Sequence, residues 1–186
     1  MKKKVLIILS DGFEDIEAVT AIDVLTRAGV EVTIAGLHDG PVKAAYGTTI
    51  LPHTTIDKVD DDFDGVVLPG GKKNAESLAA NLRVVELIKK FNNQHKMIGA
   101  ICAAPSHVLA QAAGILKNRP ATGDPIFNDK LATGGAIITD QLVTVDDNII
   151  TGMGPGAAMS FALKLAEYLT DKKTADSLAQ KWRVNR

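Results

Sequence analysis

Cysteine, excess charge and long apolar runs are all scarce in this chain of 186 residues. The single cysteine, Cys102, excludes an internal disulfide and fits a reducing compartment, so we expect a cytoplasmic protein. The formal net charge is −1, which leaves no field that favours nucleic acid or anionic lipid. No stretch is long and apolar enough to span a bilayer. We therefore expect neither a membrane partner nor a specific nucleic-acid partner.

Repeats, low-complexity tracts and linkers are also absent from the sequence, and its length suits one domain with a full core. We therefore predict a single domain over residues 1–186. The start, MKKKVLIILSDGFED, has the basic residues and apolar run of a signal peptide. The run is short, however, and meets Asp11, Glu14 and Asp15 without a small-residue cleavage site, so we interpret it as a first strand.

Apolar runs alternate with amphipathic segments along the chain. This pattern predicts an α/β protein with an open parallel sheet and helices on both faces. The predicted strands are KVLIILS, VEVTIAGL, FDGVVLPGG and KMIGAI, and QLVTVDDNIITG is predicted to form a hairpin. The predicted helices are EDIEAVTAIDVLTRA, residues 74–94 in two pieces, PSHVLAQAA, and two closing helices. Such sheets place their chemistry at the carboxyl ends of the strands.

Cys102 lies at one of these strand ends. Ala100 and Ala104 flank it at the spacing of a nucleophile elbow, in which small neighbours permit a tight strand-to-helix turn. Pro105 fits the first turn of the following helix, whose N-terminus favours a thiolate. We therefore expect a reactive thiol that is mostly ionised at neutral pH. The alternative is that Cys102 fills the core, as free cysteines often do.

Glu17 falls on the apolar face of the first predicted helix, between Val24 and Ala28. An unpaired buried carboxylate is costly, so we expect Glu17 to be protonated or paired, and to face the same crevice as Cys102. The alternative is a residue at the edge of that face whose tip reaches water. On the otherwise polar side of this helix, Ile16 and Val19 are apolar and well placed for a partner chain.

Glycines follow a third strand in the stretch Leu68–Gly71. Backbone amides there, together with the N–H group of Ala103, are candidates for an oxyanion site, although the alternative is an ordinary turn. GMGPG, before a closing helix, lacks the spacing of a dinucleotide fingerprint, and the four histidines lack metal-ligand spacing. We therefore predict no cofactor and no metal.

The motifs AICAAP, VVLPGG, DGFEDIE and AGVEVTIAGL, with GPG before a late helix, resemble those of the DJ-1/ThiJ/PfpI superfamily. The closing helix KKTADSLAQKW resembles the DJ-1 clade, which includes bacterial ThiJ/YajL-like proteins. The resemblance implies a flavodoxin-like three-layer sandwich with a mostly parallel central sheet, and a homodimer. It also implies that a reactive cysteine, here Cys102, is hydrogen-bonded to a protonated glutamate, here Glu17. Gly71 and Ala103 match the oxyanion-type amides, beside Gly70.

Departures from this family pattern bear on function. The protease branch has His directly after the cysteine, and Ala103 at that position argues against a peptidase. The DJ-1 type has a His near the thiol where Asp124 stands here, although Asp124, which precedes Pro125, is alternatively the cap of a turn. Arg27 matches an arginine near the partner subunit's pocket, whereas Tyr46 replaces a second arginine.

Three functions follow from these observations. In the first, an enzyme of glyoxalase III or deglycase type uses Cys102 and Glu17 on small reactive carbonyls or glycated molecules. In the second, the protein is a redox sensor in which Cys102 is oxidised to sulfinate. In the third, it is a chaperone or binding module in which the thiol is incidental. The missing His favours sensing over efficient glyoxalase chemistry, because a carboxylate is a poor substitute for imidazole as a base near neutral pH.

Overall fold

The computed structural model describes residues 2–184, and a seven-stranded sheet forms its centre. The strands in chain order are β1 Lys4–Leu9, β2 Glu31–Gly36, β3 Val42–Lys43, β4 Thr49–Ile50, β5 Thr54–Thr55, β6 Gly65–Leu68, β7 Met97–Ile101, β8 Pro120–Ala121, β9 Ile137–Ile138, β10 Val143–Asp146 and β11 Ile149–Gly152. The central sheet has the order β10-β11-β7-β6-β1-β2-β5. Its pairs are parallel except for β10 with β11.

Helices cover both faces of this sheet. The α-helices are α1 Asp15–Arg27, α2 Lys72–Ala80, α3 Leu82–Asn93, α4 Asn128–Thr133, α5 Ala158–Leu169 and α6 Lys172–Trp182, and a π-helix spans Pro105–Ala112. One apolar core lies between the sheet and α1, α5 and α6. The other lies between the sheet and α2, α3, α4 and the π-helix. The protein is thus a three-layer sandwich.

The inner strand β1 explains why the run from Val5 to Leu9 is continuously apolar. Val5, Ile7 and Leu9 belong to the core on one face. Leu6 and Ile8 belong to the core on the other face. Side chains alternate between the two faces of a strand, so a strand covered on both sides has no solvent-facing position for a polar residue.

Most of the predicted elements are confirmed. The four predicted strands, the two-piece helix and the hairpin are present, and the hairpin turns at Asp147, whose φ is +52°. The mixed α/β fold with a mostly parallel sheet is therefore as predicted. The helix after Cys102 is a π-helix rather than an α-helix, and residues 115–141, for which no element was predicted, contain β8, α4 and β9. Among the helices of residues 2–184, none has the length and apolar character needed to cross a membrane.

Candidate active site

The carboxyl ends of three neighbouring strands meet at one edge of the sheet. β1, β6 and β7 are adjacent and parallel, so the residues that follow them converge there. A cleft of about 600 Å³ opens at this edge. Its lining residues come from the loops after the strands and from two more distant loops: Gly12, Glu14, Ala45, Tyr46, Gly71, Lys72, Lys73, Cys102, Ala103, Asp124, Ile126, Phe127 and Pro155.

Two aspartates, one in the loop after β1 and one at the start of α1, hold one wall of the cleft in place. Asp11 accepts a hydrogen bond from the backbone N–H of Lys43 at 2.9 Å. Asp15 accepts hydrogen bonds from the N–H groups of Tyr46 and Thr48, each at 2.9 Å. These carboxylates hold the chain between β3 and β4 against the start of α1. Tyr46, which is 81% exposed, is thereby placed at the mouth of the cleft.

Glu14 and Glu17 are turned inward by the start of α1. Glu14 is the N-cap of the helix, and its carboxylate accepts the Glu17 N–H at 2.8 Å. Glu17 lies one turn later among the buried residues of the helix and is 1% exposed. The position predicted from the helical pattern is therefore correct. The alternative, a residue at the edge of the face with its tip in water, is wrong.

Cys102 sits on a sharp turn between β7 and the π-helix. Its φ is +62°, which is unusual for a residue with a side chain and marks a strained backbone. The Cys102 N–H donates to Gly152 O, and the Cys102 carbonyl accepts from the Asp124 N–H, both at 2.9 Å. These bonds hold the strained conformation from both sides. The thiol lines the cleft although the residue is only 8% exposed, as a nucleophile elbow requires.

Gly70 and Gly71 bring the carboxyl and the thiol together. The Gly70 N–H donates to Glu17 Oε2 at 2.7 Å. A Cβ atom on Gly70 would lie 2.6 Å from both Cys102 Cβ and Glu17 Oε2. Gly71 has a φ of +83°, and a Cβ there would lie 2.1 Å from Gly12 O. Only glycine fits either position. The Gly71 N–H is hydrogen-bonded to the Cys102 thiol and lowers its pKa.

Asn74 is a positioning residue of this site that the sequence did not reveal. It is fully buried, and its Oδ1 accepts the N–H of Ser10 at 2.7 Å. Its Nδ2 donates to Pro69 O at 2.8 Å and to Gly70 O at 3.1 Å. The side chain thus ties the glycine loop to the end of β1. Its position four residues after Gly70 has no distinctive local pattern that sequence reasoning could have used.

The Glu17 carboxyl holds its proton more strongly than an ordinary glutamate does. Burial is the main cause and raises the pKa of Glu17 to about 8, with smaller contributions from the charges of Glu14 and Asp124. Hydrogen bonds from the Gly70 N–H and the Cys102 thiol lower this pKa but do not cancel the effect of burial. Glu17 is therefore mostly protonated at neutral pH, as expected. Its Oε1 is buried and has no hydrogen-bond partner within the described residues.

The expectation that Cys102 is ionised at neutral pH is wrong. Burial raises the pKa of Cys102 to about 12, with contributions from the charges of Glu17 and Asp124 that outweigh the hydrogen bond from Gly71. The sequence argument considered the helix N-terminus but not burial or the second carboxyl. Because thiol and carboxyl interact, they titrate as a pair. The pair loses its first proton near pH 8, the pKa of Glu17.

Asp124 lies near the Cys102 thiol and also caps a turn, so both alternatives predicted from the sequence are present together. Its Oδ2 lies 3.8 Å from Cys102 Sγ. Its Oδ1 accepts the N–H of Ile126 at 3.1 Å, so it also caps the short 3-10 helix Pro125–Phe127. The residue is therefore fixed by the turn while its other oxygen faces the thiol.

The remaining sequence candidates separate into those at the cleft and those elsewhere. Ala103 lines the cleft beside Cys102. Arg27 is not brought there: it lies at the other end of α1, paired with Asp23 at 2.9 Å and 5.5 Å from the ring of Trp182. His107 is buried against the ring of Phe127 and does not line this cleft. Within residues 2–184, no group of three His, Cys, Asp or Glu side chains could hold a metal ion.

Comparison with known proteins places this site in a family. Drosophila melanogaster protein dj-1beta is 40% identical over 182 residues, which cover 97% of this chain and 96% of that protein. Its crystal structure superposes with a TM-score of 0.94 at 39% identity and full coverage of both chains. A Caenorhabditis elegans protein named glutathione-independent glyoxalase DJR-1.2 is 37% identical, over 95% of this chain and 94% of that protein.

A further solved structure shares the fold. Toxoplasma gondii DJ-1, described as oxidized, has a TM-score of 0.92 at 33% identity, with 99% of this chain and 100% of that chain covered. The model of the DJ-1/PfpI family matches residues 3–168, which contain both the Cys102 elbow and the Glu17 helix. With most of its length matched by that model and relatives aligned nearly end to end, the chain belongs to the DJ-1/PfpI family.

Proposed function

We propose that the protein is a cofactor-independent glyoxalase that converts small α-dicarbonyl compounds such as methylglyoxal into hydroxy acids. Its DJ-1 relatives, one of which is named a glutathione-independent glyoxalase, support a DJ-1-type stress-response function. The observation that carries the proposal is the pairing of a strained, cleft-lining Cys102 with the protonated Glu17. Gly70 lies between the two, where there is no room for a side chain.

The first step is addition of sulfur to the aldehyde carbon. The reacting form of the pair holds a single proton, with that proton on Glu17 and the negative charge on the Cys102 sulfur. This tautomer is the less populated one, because the pKa of Cys102 is higher than that of Glu17. From it the Cys102 sulfur forms the S–C bond while Glu17 gives its proton to the aldehyde oxygen. The product is a hemithioacetal, and Glu17 is left as a carboxylate. In this step we assign to the N–H groups of Gly71 and Ala103 the role of stabilising the oxygen as it gains charge.

The second step is an internal transfer of hydrogen that needs no external oxidant. The Glu17 carboxylate removes the proton from the former aldehyde carbon, which gives protonated Glu17 and an enediolate whose charge lies on the former ketone oxygen. Glu17 then returns a proton to the neighbouring carbon, while the hydroxyl proton moves between the two oxygens. The aldehyde carbon is thereby oxidised to a thioester and the ketone carbon is reduced to an alcohol. Water then hydrolyses the thioester, releasing lactate and restoring the thiol.

The test is lactate formation from methylglyoxal by the wild type, Cys102→Ala and Glu17→Gln. We expect no lactate from Cys102→Ala, and a loss of ~10²–10⁴-fold for Glu17→Gln, the usual contribution of a general acid–base. The matched control is Glu86→Gln, which alters an exposed carboxylate on α3 and should keep full activity. Activity retained by Cys102→Ala, or no lactate from the wild type, contradicts the proposal.

Redox sensing is a second candidate, favoured by the Glu17 carboxyl itself. Its buried Oε1 has no partner within residues 2–184, and a protonated carboxyl beside the sulfur can donate a hydrogen bond to a sulfinate oxygen. Cys102 is also the only cysteine, so no second thiol in the chain can convert a sulfenic acid into an internal disulfide. The oxidized state named for the Toxoplasma relative is consistent with this second use of the same pair.

We further propose that the protein is a homodimer whose interface includes the outer face of α1. Ile16 and Val19 are 55% and 45% exposed on that face, although the residues beside them are largely polar. A lone exposed apolar residue needs no explanation, but a pair one turn apart favours a partner. Light scattering at micromolar concentration should give twice the mass of the chain, and a monomer would rule the dimer out.

A further inference from the structure

We propose that Asp124 is a specificity-determining residue that makes the Cys102 cleft accept uncharged carbonyl compounds and reject those that carry a carboxylate. The inference rests on the proposed reaction and names its substrate class. Uncharged α-dicarbonyls such as methylglyoxal or glyoxal are expected to react, whereas α-oxo acids such as glyoxylate are expected to be excluded. Asp124 does this through its charge, without a part in the bond-making steps.

The position of the Asp124 carboxylate is set by the backbone around it. Its own N–H is bound to the Cys102 carbonyl at 2.9 Å, and its carbonyl accepts the N–H of Phe127 at 2.9 Å. Its Oδ1 is held by the N–H of Ile126, which leaves Oδ2 facing the thiol at 3.8 Å. Any molecule bonded to Sγ must therefore lie within a few ångströms of this carboxylate.

The cleft has no cation at a comparable depth among its lining residues. Lys72 and Lys73 are its only basic lining residues, and both are exposed at the mouth. The ammonium group of Lys72 is also 3.9 Å from Glu76, which offsets part of its charge. Asp124 supplies the negative charge nearest the sulfur, at 3.8 Å, and this charge raises the pKa of the thiol, whereas Glu17 is mostly protonated at neutral pH. Within one chain, the charge closest to an anion that reaches the sulfur is therefore that of Asp124.

The size of the effect follows from the distance. Two like charges about 5 Å apart at a partly exposed site repel enough to slow the approach of an anion about tenfold or more. Asp124 is half-buried, so salt screens this repulsion only in part. Removing its charge should restore most of the lost rate for an anionic reagent and leave an uncharged reagent much less affected.

Alkylation of Cys102 measures this repulsion without any catalytic turnover. Iodoacetamide and iodoacetate are similar in size and react alike: sulfur displaces iodide as the S–C bond forms. The two differ in charge, and because both consume the same thiolate, the ratio of their rates cancels the pKa of Cys102. The ratio is measured by mass spectrometry for the wild type, Asp124→Asn and the control Glu86→Gln. Asparagine keeps an oxygen that can accept from Ile126, so the turn is retained.

We expect the iodoacetamide-to-iodoacetate ratio to fall about tenfold in Asp124→Asn and to stay at the wild-type value in Glu86→Gln. An unchanged ratio in Asp124→Asn overturns the proposal, as does an equal fall in both variants, which would indicate net charge alone. A second measurement does not depend on a variant. The wild-type ratio should decrease as salt is raised, and a ratio independent of salt also overturns the proposal.

Glyoxylate completes the test with a carbonyl compound. It should inhibit lactate formation weakly in the wild type and more strongly in Asp124→Asn, and equal inhibition of the two proteins contradicts the selectivity. If no lactate forms but the alkylation ratio falls as expected, the proposed glyoxalase function fails while the charge selectivity of the cleft stands. If lactate forms and the alkylation ratio is unchanged in Asp124→Asn, the proposed glyoxalase function stands while the charge selectivity of the cleft fails.

Discussion

The buried carboxyl of Glu17 should make the protein less stable as the pH rises from about 5 to 8. Glu17→Gln removes the titration but keeps an acceptor for the Gly70 N–H, which reaches Glu17 Oε2 at 2.7 Å. The difference in free energy of unfolding between the wild type and this variant therefore isolates the carboxyl from the titrating groups other than Cys102, with which it is coupled. A surface carboxylate in an ion pair has the opposite effect, since it stabilises the folded state as the pH rises.

The magnitude follows from the two pKa values. The pKa of Glu17 is about 8 in the folded protein, against 4.5 for an unperturbed glutamate. Between these values the folded state holds a proton that the unfolded chain has released, so stability declines as the pH rises. At ~1.36 kcal/mol for each pKa unit, the whole decline is about 5 kcal/mol, of which about 3–4 kcal/mol falls between pH 5 and pH 8.

Urea denaturation at about pH 5, 6.5 and 8 provides the measurement. The wild type should lose about 3–4 kcal/mol relative to Glu17→Gln over this range, on the order of a third of the stability of a typical domain. The free energy of unfolding of Glu86→Gln, a variant at an exposed position, should change with pH in the same way as that of the wild type. A constant difference between the wild type and Glu17→Gln would refute the reasoning, because it would mean that the carboxyl is already ionised or that water reaches it in the folded state.

Three further results are expected at the same site. Asp124→His should raise lactate formation, because imidazole removes a charge that opposes the thiolate and adds a base worth typically ~10²–10⁴-fold when well placed; a folded variant no faster than the wild type would contradict this. Mild peroxide should add two oxygens to Cys102 by intact mass, whereas a covalent dimer as the main product would show that the thiol is accessible to another protein. Asn74→Ala should lower the free energy of unfolding, measured by urea denaturation, by about 2–4 kcal/mol, because it frees Gly70 and leaves the Ser10 N–H unpaired. It should also lower lactate formation more than methylglyoxal binding, and unchanged stability would exclude this role.

The parts of the fold that could be predicted are those in which the local pattern has one physical solution. β1 is apolar at every position from Val5 to Leu9 because both of its faces are covered there, and few other elements produce such a run. Glu17 could be found because a carboxylate on an apolar helix face conflicts with its neighbours. Cys102 could be found because small residues and a proline surround it at a strand end. In each case the neighbours in sequence are also the neighbours in space.

The parts that could not be predicted depend on residues distant in sequence. The pKa of Cys102 depends on burial and on charges from α1 and from the turn at Asp124, and a strand end followed by a helix indicates neither. Asn74 resembles any polar residue in a first helical turn until Ser10 is placed above it. Residues 115–141 contain short elements without a sustained period, so the path that carries Asp124 back to the thiol has no sequence signature.

Gly70 connects the stability of the protein to its chemistry. Because this residue has no side chain, the Glu17 carboxyl can lie close to the sulfur while both residues remain largely buried. The same burial raises the pKa of Glu17 and so keeps a proton beside Cys102 at neutral pH. A more exposed carboxyl would stabilise the protein at pH 8 but would already have lost the proton that the addition step transfers. A side chain at Gly70 would separate the two groups. In the proposed mechanism, the arrangement that destabilises the protein at pH 8 is therefore the one that supplies the proton for the addition step.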